Sequence, residues 1–341
     1  MSAGLSTGTQ SGTGTGTSVS TGTSPSPSGT HVLSLIPLPE ATLDALRRDY
    51  TLHHHPDGLS AEALSSRVEL ANVRAVVTNG STGLSDAQMA ALPALDIVSA
   101  FGAGYENVDV AAATRRGIAV THAPGANAAT VADHAIGLLL ALARGYAPLT
   151  DAVRAGNWRN SRAERPTLTG ARLGLVGMGR IGRLIAARAQ GFDVTLGYHT
   201  RRAHADAPGR HYDNLVELAR DSEFLVIACN GGPATKHLID RDVLRALGPH
   251  GYVVNVSRGS VLDTQALIDA LADGALAGAG LDVIDSEPEV PRALLDHPGV
   301  LITPHIAGRS PASWIAQRDA LLASLSQHFA RAPIEFAVRT A

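Results

Sequence analysis

Short apolar, β-branched runs recur at 31–36, 75–79, 96–100 and 118–122, each too short for a helix and bounded by turn residues. Between them, at 40–50, 60–70 and 85–92, apolar residues fall three or four apart, the spacing of one helix face. Ser85 followed by Gln88 has the spacing of a capping box, which marks the start of the third helix. Strand alternating with helix predicts βαβ units and a parallel sheet, because parallel neighbours need a crossover connection. A second series of runs, at 172–177, 193–198, 223–229, 251–257, 278–284 and 300–304, predicts a second unit of the same kind. Residues 130–142 are apolar almost all round, interrupted only by Asp133 and His134, as in a helix buried between domains or at a subunit interface. The segment 145–170 is polar and irregular, suited to wrapping a neighbouring subunit, and 311–330 reads as an amphipathic helix long enough to cross back to the first unit. The expected fold is α/β, with two Rossmann-like domains of doubly wound, mostly parallel sheet. The active site should lie in the cleft between them, beyond the C-terminal ends of the strands.

Composition agrees with two domains. The chain has 341 residues, against a usual size of roughly 150 per domain. A net charge of -3 gives no electrostatic footprint for nucleic acid or an anionic membrane, so neither is an expected partner. Cys229 is the single cysteine, which excludes an internal disulfide and a cysteine zinc site, and no metal is expected. Within the apolar run 224–229 it reads as a small buried hydrophobe. Nothing approaches the ~18 consecutive apolar residues of a membrane span. Residues 1–30 form a Ser/Thr/Gly/Pro tract without a charged or aromatic side chain, too polar to offset its ordering entropy, and are expected to be disordered. The first cation is Arg47 and no apolar segment follows the start, so the tract is not a signal peptide and a cytoplasmic location is expected.

The most informative turn is Gly177-Met178-Gly179-Arg180-Ile181-Gly182, which joins an apolar strand to a helix continuing through Ala189. Gly177 permits the tight turn, Gly179 lets the backbone approach a pyrophosphate, and Gly182 lets helix and strand pack closely. In this context the motif predicts a dinucleotide site. An acidic residue at the tip of the next strand would bind the ribose 2′-hydroxyl of NAD. Here the strand ends Tyr198-His199-Thr200-Arg201-Arg202; Asp193 lies at its start and Asp206 beyond the loop. Two guanidiniums and a hydroxyl suit a 2′-phosphate, so NADP is the expected cofactor, with NAD possible but disfavoured.

Three strand ends in the second unit carry reactive side chains: Arg258 after Asn255-Val256-Ser257, Glu287 after 280–286, and His305 after Thr303-Pro304. Carbonyl reduction needs this combination. The arginine clamps a carboxylate, the histidine moves a proton, and the glutamate keeps the imidazole protonated until it acts.

With these residues go the segments Asn79-Gly80-Ser81-Thr82-Gly83 and Gly102-Ala103-Gly104-Tyr105-Glu106-Asn107-Val108-Asp109. From about residue 31 to the C-terminus the chain resembles the D-isomer-specific 2-hydroxyacid dehydrogenase family. It is most similar to the NADPH-dependent glyoxylate/hydroxypyruvate and hydroxyphenylpyruvate reductase branch. The resemblance implies that Arg258, Glu287 and His305 are catalytic and that Asp282 orients the nicotinamide carboxamide. Ser81, Thr82 and Gly83 resemble the loop whose backbone N–H groups hold the substrate carboxylate, alongside Arg258 and His305. Beside the glycines, the expected cofactor surface includes Arg180, Ile181, His199, Thr200, Arg201 and Arg202. Cys229, Thr235, Val256, Asp282 and His305 complete it.

By the same resemblance, residues 31–124 with 308–341 form the substrate-binding domain and 125–307 the dinucleotide-binding domain, and the protein is a homodimer joined through the latter. The expected reaction reduces a small 2-oxo acid to the D-2-hydroxy acid. A second reading is an NAD(P)-sensing binding protein or corepressor on the same fold, disfavoured because no partner module or charged tail is visible. Formate dehydrogenase is disfavoured because its relatives carry glutamine at the Glu287 position. Two departures from the family pattern stand out: Asn230 replaces a common proline, and Arg309 replaces a small residue where it bears on access to the cleft. Phe101, Tyr105 and Trp158 are candidates for substrate contact, with core packing the competing role of each.

Overall fold

The computed structural model describes residues 29–338, so the tail expected to be disordered lies almost wholly outside the described residues. Two parallel sheets form. The first comprises β1 (His31–Ser34), β2 (Thr51–His54), β3 (Val73–Thr78), β4 (Ile97–Ala100) and β5 (Ala119–Thr121), in the order β2-β1-β3-β4-β5. The second comprises β6 (Arg172–Val176), β7 (Thr195–His199), β8 (Arg210–Tyr212), β9 (Phe224–Ile227), β10 (Tyr252–Asn255), β11 (Gly278–Leu281) and β12 (Val300–Ile302). Its order is β12-β11-β10-β9-β6-β7-β8. Every ladder is parallel. All residues of β4, β9, β10 and β11 are buried, as parallel strands covered on both faces must be.

The apolar runs therefore mark the strands, with two omissions. The strands β2 and β8 both lie at sheet edges, paired on one side only. Their sequences, Thr-Leu-His-His and Arg-His-Tyr, lack the apolar alternation of a covered strand because half their surroundings are solvent. His53 and His54 belong to β2 and, like His55, are half-buried; His53 Nε2 lies 2.9 Å from His31 Nδ1 on the neighbouring strand.

Helices cover both faces of each sheet. Ser85 and Gln88 form the expected capping box ahead of the helix Asp86–Ala90. The long apolar stretch is the helix Ala128–Arg144, whose Val131, Ala135, Leu138, Leu139 and Leu142 pack on one face of the second sheet. It is not buried all round, because Ala129, Asp133 and Gly137 form an exposed stripe at i, i+4 spacing. Gly145, in the left-handed conformation, ends this helix and starts another, Tyr146–Arg154, inside a segment expected to be irregular. That second helix buries none of its residues, so the core imposes no apolar periodicity on it. The helix Pro311–Phe329 returns to the first sheet, where Trp314, Leu321 and Leu325 pack with Val32, Ile36 and Phe101. Full burial of a leucine such as Leu325 contributes about 1.5–3 kcal/mol, which fixes the C-terminal segment to a sheet formed by the first third of the chain. Among the described residues, no single helix is long and apolar enough to cross a membrane.

Candidate active site

The strands of both sheets deliver their C-terminal ends to one cleft of about 790 Å³. Ile36 and Pro37 follow β1 into it, Asn79 to Ser81 follow β3, and Phe101 to Glu106 follow β4. From the second sheet come Ala228 to Gly231 after β9, Val256 to Arg258 after β10, Asp282 after β11 and His305 after β12. The order of the second sheet reverses between β6 and β9, and the glycine turn leaves β6 at that point. This is where open α/β sheets hold ligands.

The glycines are needed for different reasons. Gly177 has φ +102, and a Cβ there would stand 2.6 Å from the Cys229 nitrogen. A Cβ on Gly182 would overlap the Gly177 carbonyl oxygen, so helix and turn pack on bare backbone. A Cβ on Gly179 would meet nothing within 4 Å; that residue faces open space, with room for a ligand to lie against the backbone.

Arg258 leaves β10 through a turn braced by buried Asn255, whose amide donates to the Arg258 carbonyl at 3.0 Å and accepts from the Ser257 N–H at 3.0 Å. Gly259 lets this turn touch the chain at Ile284 and Asp285, which brings the Arg258 and Glu287 loops together. Glu287 accepts from the Ile284 N–H through Oε1 at 3.0 Å and meets His305 Nδ1 through Oε2 at 2.9 Å. An ionised carboxylate can only accept, so Nδ1 is the donor and Nε2 is left as the free ring nitrogen. Burial raises the Glu287 carboxyl. Hydrogen bonds from His305 and the Ile284 N–H, with the charges of His305 and Arg258, outweigh that and hold it below the ordinary 4.5.

His305 has φ 50, a left-handed conformation for a non-glycine residue, and Asp282 holds it there. Asp282 is 2% exposed. Its backbone carbonyl accepts from the His305 N–H at 2.9 Å. Its carboxylate accepts from the Thr303 hydroxyl at 2.6 Å and from the Ile306 and Ala307 N–H groups at 2.9 Å each. His134, on the long apolar helix, adds a contact from Nε2 to Thr303 Oγ1 at 3.0 Å. Asp282→Ala would strand several buried donors, each costing about 1–3 kcal/mol, and should destabilise the protein by on the order of 3 kcal/mol or more. Chemical denaturation measures this, and an unchanged midpoint would show that water replaces the carboxylate.

The match to known proteins decides the family. Residues 136–307 match the model for the NAD binding domain of D-isomer specific 2-hydroxyacid dehydrogenases. The chain is 38% identical over 264 residues to hydroxyphenylpyruvate reductase of Plectranthus scutellarioides, covering 77% of this chain and 84% of that one. This chain belongs to the D-isomer-specific 2-hydroxyacid dehydrogenase family. It is also 39% identical over 260 residues to a glyoxylate/hydroxypyruvate reductase of Arabidopsis thaliana, covering 76% of this chain and 83% of the relative. Among solved structures, an NADPH-dependent glyoxylate/hydroxypyruvate reductase from Sinorhizobium meliloti, in complex with NADP and malonate, superposes with a TM-score of 0.84 at 34% identity. That match covers 92% of this chain and 99% of that one. The family domain that binds a nicotinamide cofactor is thus the one built on the second sheet.

The structure brings fewer than half of the sequence-derived site residues of this dehydrogenase into the lining of the cleft itself. Arg258, Glu287, His305, Asp282, Ile181, Cys229, Val256 and Ser81 line it. Cys229 is half-buried rather than enclosed, because it sits where β9 ends at the cleft; desolvation still pushes its thiol up. His199 ends β7 beside the glycine turn, its carbonyl accepting from the Gly177 N–H at 3.0 Å, and Thr200 follows it. Arg201 and Arg202 are exposed at this tip, with no ion-pair partner among the described residues. Asp206, the nearest following carboxylate, is held by Arg183 at 3.0 Å, which keeps its carboxyl low. Arg180 reaches away from the turn, donating to the Pro124 carbonyl at 2.6 Å. Thr235 turns its hydroxyl to the Asn230 carbonyl at 2.9 Å and is absent from the cleft lining.

The Ser81–Gly83 loop differs from expectation. The Ser81 and Thr82 N–H groups are both accepted by Asn79 Oδ1, at 3.0 and 2.7 Å, and the Gly83 N–H by the Asn79 carbonyl at 2.8 Å. The loop satisfies its own donors, as an Asx turn does, rather than presenting an open nest. Trp158 is 66% exposed and away from the cleft, whereas buried Phe101 lines it, stacked on Trp314 at 5.8 Å. The guanidinium of Arg309 lies 5.8 Å from the same Trp314 ring, at the cleft wall.

Proposed function

We propose that this dehydrogenase reduces a small 2-oxo acid of the glyoxylate or hydroxypyruvate kind to the D-2-hydroxy acid, using NADPH. The observation that carries the reading is the His305–Glu287 pair, joined at 2.9 Å and sharing one cleft with Arg258 and the glycine turn. The reductase activities of the plant relatives support the substrate class.

The residues fit a dinucleotide. Gly179 offers open backbone, the helix Arg180–Ala189 starts there, and two guanidiniums without an ion-pair partner among the described residues stand at the tip of β7. Gly177, Gly179, Ile181 and Gly182 would take the pyrophosphate, His199 to Arg202 the adenosine end with its 2′-phosphate, and Cys229, Val256 and Asp282 the nicotinamide end. When bound, the nicotinamide supplies a hydride to the keto carbon. Arg258 receives the substrate carboxylate and polarises the neighbouring carbonyl. His305 gives its Nε2 proton to the oxygen as negative charge develops there, and Glu287 holds the ring by Nδ1 and stabilises the cation before transfer. Asp282 fixes the loop on which His305 rides. Because the 81–83 N–H groups are engaged by Asn79, recognition of the carboxylate falls mainly on Arg258.

A homodimer through the cofactor domain accommodates the exposed stripe of the helix Ala128–Arg144 and the outlying helix Tyr146–Arg154. Tyr146 and Val153 on the latter are 57% and 45% exposed, apolar surface that a second copy would cover. The activity is tested by incubating the protein with hydroxypyruvate and NADPH. D-glycerate formed in step with NADPH oxidation is expected; cofactor binding without turnover on any 2-oxo acid would instead indicate a sensor.

A further inference from the structure

Arg258 does not stand free in the cleft. Its Nη1 donates to the Ser257 carbonyl at 2.7 Å, and its Nη2 donates to Glu106 Oε1 at 2.6 Å. Glu106 comes from the opposite wall, in the loop after β4 of the first sheet, so this ion pair crosses the cleft between the two sheets.

Three glycines make room for the pair. A Cβ on Gly231 would stand 2.5 Å from Arg258 Cγ, where the arginine stem passes. A Cβ on Gly104 would stand 2.5 Å from both Arg258 Nη2 and Glu106 Oε2, and one on Gly80 would collide with Glu106 Oε2. None of the three has a positive φ, so none is glycine for a conformational reason. Each lacks a side chain where the pair lies, which makes the pair a built feature of the cleft rather than a chance surface contact. Both side chains are 37% exposed, within reach of a ligand and only partly screened.

We infer that Glu106 is the positioning residue of Arg258, holding one face of the guanidinium from across the cleft so that its remaining N–H groups point at the substrate carboxylate. A guanidinium has five N–H donors. Two are used by Ser257 and Glu106, and three stay available, enough for a bidentate carboxylate. Glu106 itself accepts no hydrogen bond from the 80–83 loop, so it does not stand in for the substrate there. Fixing the fork in advance reduces the rotamer freedom lost when substrate binds. The carboxylate also sets a charge beside a group that must attract an anion. Positioning and repulsion therefore pull in opposite directions, and they can be separated experimentally. The inference rests on the reading above that Arg258 receives the substrate carboxylate.

The test uses the full chain with NADPH present and measures the inhibition constant of oxalate and the KM of glyoxylate. Glu106→Ala should weaken both about tenfold or more, with the melting temperature and NADPH dissociation constant unchanged. Glu106→Gln keeps an acceptor at Oε1 without the charge, and should restore binding to within about threefold of wild type or better. Gly104→Ala, which forces the pair apart, should reproduce the Glu106→Ala defect and decides the matter if that variant does not fold. Wild-type values in both Glu106→Ala and Gly104→Ala would overturn the proposal. So would tighter oxalate binding in Glu106→Ala, the mark of a merely competing charge, or equal losses in NADPH affinity and melting temperature. Arg258→Ala is the reference: if it binds oxalate as wild type does, the carboxylate reading of Arg258 fails and the role of Glu106 with it. If Arg258→Ala is weakened while the Glu106 and Gly104 variants are not, only the positioning role fails.

Discussion

Replacing His305 with alanine is expected to lower kcat for 2-oxo acid reduction by about 10²–10⁴-fold, the usual contribution of a positioned general acid. The alkoxide formed by hydride delivery must be protonated, and among the cleft residues His305 alone is an imidazole held by a carboxylate. NADPH should still bind, because the glycine turn and the tip of β7 lie on other strands. Stopped-flow measurement of NADPH binding beside steady-state turnover separates the two effects; near-normal turnover would remove His305 from its role. The pair also fixes the sign of one pH effect. Glu287 titrates below the ordinary carboxylate value, so its part in holding the imidazolium is fully present above the unfolded-state value and is lost only as pH falls through the lower folded one. Glu287→Gln, which cannot take a charge, should abolish this acid-side dependence and lower kcat at all pH values.

The second large effect concerns the cofactor. Arg201 and Arg202 are exposed and lack carboxylate partners among the described residues, so they are free to meet a 2′-phosphate. A charge-assisted hydrogen bond contributes about 1.5–3 kcal/mol, which corresponds to roughly 10- to 150-fold in affinity. Replacing both with alanine should therefore weaken NADPH by about that factor and leave NADH nearly unchanged. The ratio of kcat/KM for the two cofactors reports it directly. An unchanged ratio would assign the 2′-phosphate elsewhere or make NAD the working cofactor.

The covered strands were legible in the sequence because a parallel strand buried on both faces must be apolar throughout, as β9 and β10 are. The edge strands β2 and β8 were not, since a strand with one free edge can be written in histidine, arginine and threonine. The helix Tyr146–Arg154 was hidden for a related reason: it buries none of its residues against its own chain. At the site, Arg258, Glu287 and His305 could be picked out because each follows a recognisable strand, and strand ends converge in this topology. Glu106 also follows a recognisable strand, β4, but nothing in the sequence joined it to Arg258. It stands 152 positions from Arg258, and only the folded chain brings the two together. Asn79 was misleading for the opposite reason, because its segment looked like an anion-binding loop while its own side chain takes the N–H groups. Asp282 read as a ligand contact, whereas its buried carboxylate also supports the loop carrying His305.

The measurement that bears most directly on the account is NADPH oxidation by the purified protein with glyoxylate as the only acceptor, compared with His305→Ala under the same conditions. Turnover that depends on glyoxylate and falls by two or more orders of magnitude in the variant (about 10²-fold at least) is the expected result. Glyoxylate and other 2-oxo acids left unreduced by the wild type, or reduced equally by the variant, would contradict it.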